Sequence, residues 1–166
     1  VKIGYTKKSG HGELDLLLAG VADKLEAAGK RCMGIVQINS DRGDCRRCDM
    51  DVQVLSGGRK IRISQNLGKD SRGCRLNPEA MAEAIADVEQ RMPSGYDVFL
   101  LNKFGKQEAE GKGFRELLGE AAGSGAFVLV GTNGLNEDAF IEFSGNVAEF
   151  IEPDEEKILN WLSQTN

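Results

Sequence analysis

The sequence predicts an α/β domain in which a mainly parallel sheet is layered between helices. Three observations carry this. Apolar, strand-like runs alternate with amphipathic helical stretches along the chain. Two of those runs, Asp97 to Leu101 (DVFLL) and Ala126 to Val130 (AFVLV), are continuously apolar, as in strands covered on both faces. The chain also opens with a strand, loop, helix, strand unit, which favours a parallel sheet, a right-handed crossover and ligands at the C-terminal ends of the strands. With 166 residues, 40% apolar and 28% charged, the composition is that of one globular domain spanning 1–166.

Val1 to Thr6 reads as the first strand, Lys7 to Gly12 as a loop, and Glu13 to about Ala28 as a helix closed by Gly29. Leu14, Leu17, Leu18, Val21, Ala22 and Leu25 recur at helical spacing, and Arg31 to Ile38 forms the next strand. Asp51 to Leu55 and Lys60 to Ser64, joined by Ser56-Gly57-Gly58-Arg59, form a hairpin inserted into the α/β pattern. Pro78 suits a first helical position, and Glu79 to Arg91 follows with an apolar stripe of Met81, Ala84, Ile85 and Val88, ended by Pro93-Ser94-Gly95. Between the two apolar strands lies a helix around Gly113 to Ala122. Leu135 to Phe143, Val147 to Ile151 and Glu155 to Leu162 supply a short helix, a last strand and a terminal helix.

Charge is unevenly spread. Residues 40–76 hold seven arginines and two lysines against five aspartates, a local charge of +4; with a total of −5, the remainder carries −9. An acidic body argues against nucleic acid as partner, and a confined basic segment suits a small anionic ligand. A solvated arginine-rich loop is the plainer alternative. No apolar run approaches the roughly 20 residues of a membrane span, and VKIGYT has no secretory pattern, so no membrane insertion and a cytoplasmic location are expected.

A working phosphate loop reads GxxxxGK followed by Ser or Thr: backbone N–H groups surround phosphates, the lysine balances charge, and the hydroxyl holds magnesium. The corresponding stretch is Lys7-Lys8-Ser9-Gly10-His11-Gly12-Glu13-Leu14. Gly12 keeps the second glycine position, whereas Lys7, Glu13 and Leu14 stand at the first glycine, lysine and hydroxyl positions. This is a degenerate Walker A loop in a P-loop NTPase-like three-layer sandwich. A carboxylate about 4 Å from a phosphate charge costs about 4 kcal/mol at an effective dielectric of about 20, so a triphosphate in the usual pose is disfavoured. Free loop N–H groups still favour an anion, with Lys7, Lys8 or a distant arginine replacing the missing lysine. The alternative is a glycine turn in which Glu13 and Asp15 simply stabilise the helix N-terminus.

Beyond DVFLL, Asn102 to Glu110 lies where an open sheet presents its ligand edge. Lys103 and Lys106 are candidate anion contacts, and Glu108 is a weak candidate to orient a water; otherwise this is a charged loop entering a helix. Cys45 and Cys48, with Arg46 and Arg47 between them, and Cys74, between Arg72-Gly73 and Arg75, are candidate reactive thiols because nearby cations lower a thiol pKa. Ordinary reduced cysteines are the alternative. One CxxC pair with Cys74 and His11 is a poor zinc set, and no metal is expected. Cys32 opens a strand and belongs to the core.

Four stretches, Arg47-Cys48-Asp49-Met50-Asp51, Ile63-Ser64-Gln65, Arg72-Gly73-Cys74-Arg75-Leu76 and Asn102 to Gly111 (NKFGKQEAEG), carry a resemblance over nearly the whole chain. The chain resembles a bacterial nucleoside-triphosphatase-like family encoded beside molybdate ABC-transporter genes. That resemblance implies a nucleotide or molybdate as ligand and molybdate-transport or molybdenum-cofactor proteins as partners. More distantly the layout is similar to nucleoside triphosphatases of thermophile type, with an acidic motif of the form DEIGxME after a later strand. Against that pattern Asn102 replaces the metal-directing aspartate, Gly105 keeps the glycine and Glu108 falls on the glutamate.

Three functions remain open. The first is a nucleotide- or oxyanion-binding accessory protein using Lys7, Lys8, Ser9, Gly10, His11, Gly12, Arg47, Arg72, Arg75, Asn102, Lys103 and Lys106. The second is a divergent nucleoside triphosphatase that draws its catalytic cation from elsewhere. The third is a protein-interaction module whose basic hairpin docks an acidic partner.

Overall fold

A computed structural model describes residues 2–10, 12–40, 49–65 and 76–164. Its elements in chain order are β1 (Ile3–Thr6), α1 (Glu13–Ala27), β2 (Cys32–Ser40), β3 (Asp49–Leu55), β4 (Lys60–Arg62), α2 (Pro78–Arg91), β5 (Val98–Leu101), α3 (Lys106–Ala109), α4 (Arg115–Gly123), β6 (Phe127–Gly131), α5 (Glu137–Phe143), β7 (Glu149–Phe150) and α6 (Glu155–Leu162). The strands form one sheet in the order β4-β3-β2-β5-β6-β1-β7. From β2 to β7 every neighbouring pair is parallel, while β3 and β4 extend the sheet as antiparallel strands.

The apolar runs of β5 and β6 are continuous because each face of the sheet carries its own core. Val98, Leu100, Phe127 and Leu129 pack with Leu18, Val21, Ala22 and Leu25 of α1 and with Ile158, Trp161 and Leu162 of α6. On the other face Phe99, Leu101, Val128 and Val130 pack with Ala84 and Val88 of α2, Leu118 and Ala121 of α4 and Phe140 of α5. The period-2 geometry of a strand sends successive side chains to these two cores. This is the α/β, mainly parallel, three-layer arrangement expected from the sequence, and among the described residues no helix is long and apolar enough to cross a membrane.

The ends of the helices follow local chemistry. Pro78 occupies the first position of α2, and the Asn77 side chain accepts hydrogen bonds from the Glu79 and Ala80 amides at 3.0 and 3.4 Å. Asp154 does the same for α6 by accepting from the Lys157 amide at 3.0 Å. Several strands differ in length from expectation. β2 runs on to Ser40, β7 is only two residues long, and β4 stops at Arg62 because Ile63 and Ser64 both donate to the Met50 carbonyl. Ser64 then bridges to Leu76.

The hairpin is present, but its turn lies at the N-terminal edge of the parallel strands, because β3 runs opposite to β2. There Arg59 grips Asp87 through Nε and Nη2 at 2.7 and 3.4 Å and also reaches Glu83. In β4, Arg62 pairs with Asp51. The turn therefore lies at the edge of the sheet opposite the glycine loop. At the opposite side of the sheet, residues 137–156, covering α5, β7 and the start of α6, hold eight carboxylates and no lysine or arginine.

Candidate functional site

Parallel strands end at a common edge. Thr6, Ser40, Leu101 and Gly131, the last residues of β1, β2, β5 and β6, lie along it, and the loops 7–12, 102–105 and 132–136 leave from it. β3 begins and β4 ends at this same edge, so the segments 41–48 and 66–75 are both joined to it. A cavity of about 400 Å³ lies at the opposite edge, lined among others by Lys30, Arg31, Cys32, Ser56 and Arg91. Two of its cations are already engaged: Arg31 with Asp97, and Arg91 with the Leu55 and Ser56 carbonyls. The strand ends are therefore the better candidate.

Gly12, in the left-handed conformation (φ 74°), stands at the N-terminal cap of α1. Glu13 folds back over this loop: one of its carboxylate oxygens lies 2.6 Å from where a Cβ on Gly10 would stand. The Lys7 ammonium sits 5.7 Å from the centre of the Phe150 ring and pairs with Glu137, a bond that raises its pKa. Lys7 is thus directed toward α5 and β7. Lys8, Ser9 and Gly10 are exposed.

Beside the loop is a closed cluster of amides around one carboxylate. Asn102, 4% exposed at the end of β5, accepts the Gln37 backbone N–H on Oδ1 at 2.9 Å and donates from Nδ2 to Asp15 Oδ1 at 2.7 Å. Asn39 Nδ2 donates to Asp15 Oδ2 at 2.8 Å, and Gln37 Nε2 donates to Asn39 Oδ1 at 2.9 Å while reaching Asp15 Oδ2 at 3.5 Å. Helix α1 is thereby tied to β2 and β5. At the end of β6 the buried Thr132 hydroxyl donates to the Phe104 carbonyl at 2.9 Å.

Glu108 is buried in the first turn after Gly105. Its Oε1 accepts the Gly105 N–H and its Oε2 the Phe114 N–H, each at 3.0 Å. Gly113 (φ 59°) passes so close that a Cβ there would lie 1.9 Å from Oε2, and only glycine combines that conformation with that approach. Both carboxylate oxygens are taken by backbone amides, so the candidate water-orienting residue acts here as a brace for the turn. Lys103 in the preceding loop and Lys106 at the start of α3 are exposed. His11, Arg47, Arg72, Arg75, Cys45, Cys48 and Cys74 lie outside the described residues.

Three members of the cluster, Asp15, Gln37 and Asn39, were not singled out as site residues from sequence. Asp15 reads as an ordinary helix N-terminal acid. Gln37 and Asn39 interrupt an apolar strand with polar residues at alternate positions just before its end, and that is the one signal that pointed to them.

Fold and edge geometry together define a P-loop NTPase-like α/β domain. The model of a family described as protein of unknown function (DUF2478) matches residues 3–161, and the chain belongs to that family. It is also 34% identical over 154 residues to the molybdenum import ATP-binding protein ModC 2 of Bradyrhizobium diazoefficiens; the match covers 93% of this chain but only 17% of that relative's length. A human cancer-related nucleoside triphosphatase, solved in solution, has the same fold, with a TM-score of 0.62 at 18% identity over 98% of this chain and 94% of the other.

Proposed function

We propose that this domain binds a nucleotide or small oxyanion at the C-terminal edge of its parallel strands and serves as an accessory to molybdenum handling, without hydrolysing triphosphates. One observation carries the binding site: the altered phosphate loop, the Lys103–Lys106 loop and the attachment points of both arginine-rich segments share a single edge of the sheet. Guanidinium groups match oxyanions in a bidentate way, so Arg47, Arg72 and Arg75 are the proposed charge donors, with loop N–H groups of Gly10 and Gly12 and the exposed Lys8 beside them. The similarity to ModC 2 supports a setting in molybdate import, and a transport ATPase or a molybdenum-cofactor protein as partner.

Binding is favoured over hydrolysis because phosphoryl transfer depends on placed charge. The lysine position holds Glu13, whose carboxylate leans over the loop, the strand-end position holds the amide Asn102, and Glu108 is occupied by backbone N–H groups. Titration calorimetry with molybdate, tungstate, sulfate, ATP and GTP tests the proposal. Arg47→Ala or Arg72→Ala should weaken binding about ten- to a hundredfold, the loss of one charge-assisted hydrogen bond. No binding of any of these at millimolar concentration would leave the interaction-module reading, while magnesium-dependent turnover abolished by Asn102→Ala would establish the divergent triphosphatase.

A further inference from the structure

We infer that the Asp15 amide cluster excludes a divalent cation from the place where a phosphate loop ordinarily holds one, doing with hydrogen bonds what the ion would do with coordination. The inference concerns the cation and stands independently of which anion binds.

A magnesium site in this kind of loop takes a hydroxyl from the helix and a carboxylate from a strand end. Leu14 removes the first and Asn102 the second. A carboxylate is nevertheless present, 2.7 Å from Asn102, because Asp15 on the helix supplies it. The negative group has moved from strand to helix, and the question is whether a cation could follow it.

The hydrogen-bond directions answer this. Asn102 Oδ1 accepts from the backbone N–H of Gln37, and a backbone N–H can only donate, so the side-chain amide is fixed with its NH2 toward Asp15. Asp15 Oδ1 therefore faces the Asn102 NH2, and Oδ2 faces the Asn39 NH2 and, at longer range, that of Gln37. Magnesium demands near-octahedral oxygen ligands at about 2.0–2.1 Å. Here two amide NH2 groups lie against the carboxylate at 2.8 and 2.7 Å and a third reaches it at 3.5 Å, so the neighbouring side chains present hydrogens where a cation would need oxygens. The donor set does not fit the ion. The carboxylate is balanced by these N–H groups and by the N-terminus of α1. What the cluster achieves is mechanical: it fastens α1 to β2 and β5.

The test compares wild type, Asn102→Asp and Asp15→Asn, melted in EDTA and in millimolar MgCl2 or MnCl2. Wild type should shift by less than about 1 °C between the two conditions, as expected when no cation binds the native state preferentially. Asn102→Asp places two carboxylates in contact; it should melt about 5 °C or more below wild type in EDTA and regain at least about half of that loss with the cation. Should Asn102→Asp fail to fold, Mn2+ titration of wild type and Asp15→Asn, followed by water-proton relaxation, decides the matter: the two should be indistinguishable. Stabilisation of wild type by Mg2+, Mn2+ bound by wild type and lost in Asp15→Asn, or an Asn102→Asp variant as indifferent to cations as wild type would each overturn the inference.

Discussion

Replacing Glu108 by glutamine separates a structural from a chemical role for the residue most easily mistaken for a catalytic base. The glutamate is 7% exposed and accepts two backbone N–H groups, Gly105 and Phe114, at 3.0 Å each. Glutamine keeps one acceptor oxygen and turns an NH2 group toward the other N–H, so one charge-assisted bond, worth about 1.5–3 kcal/mol, is lost and one buried donor faces another. A destabilisation of about 3 kcal/mol follows, or a melting temperature about 6–12 °C lower for a domain of this size. Trp161, the single tryptophan and nearly buried, reports the transition in urea by fluorescence. The same samples assayed for ATP and GTP turnover should be as inactive as wild type. Stability unchanged within about 0.5 kcal/mol, with any wild-type turnover lost, would refute the brace and return Glu108 to chemistry.

Burial pushes the Cys32 thiol up to about 12, helped by the Glu26 and Asp97 charges, so iodoacetamide at mildly alkaline pH should modify it in urea and leave it intact in the native protein, as read by peptide mass spectrometry. Its linkage has a definite sign: with the folded pKa above the ordinary 9.0, stability should fall as pH rises from about 9 toward 12. Gly34→Ala should destabilise by at least about 3 kcal/mol in urea titration, since a Cβ there would lie 2.0 Å from the Leu100 carbonyl oxygen and the backbone is at φ 111°. The Arg31 amide and guanidinium hold the Asp97 carboxyl below its ordinary 3.8, so its contribution is present above that value and disappears as pH falls through the lowered pKa. Asp97→Asn should therefore differ from wild type at neutral pH, by no more than about 1 kcal/mol for so exposed a pair, and match it near pH 2.

The fold was legible because burial on both faces leaves a direct signature. DVFLL and AFVLV have no polar residue to spare after their first position, and helices on either side are the only cover for such strands. Pro78 and Gly29 mark helix ends through backbone restrictions that act locally, so those boundaries were readable too. The site was legible only in outline. The glycine loop and Asn102 drew attention through the motif they were compared with, but Asp15 meets Asn102 across 87 positions of chain, and nothing local in either residue announces the other. Glu108 shows the converse limit. Its place in a motif suggested chemistry, but the motif gave no sign of the two backbone donors and the close glycine that also give it a structural task.

The sorting of charge across the sheet gives the domain a directional electrical character. Six inter-strand spacings separate β4 from β7, about 29 Å at roughly 4.8 Å each, and the eight carboxylates of residues 137–156 belong to the β7 end. The net charge of −5 sets the field far from the molecule, and the local excess of carboxylates is felt only close to the β7 end. A basic surface close by is met most favourably by the β7 end, and this preference fades as salt shortens the Debye length below the width of the sheet.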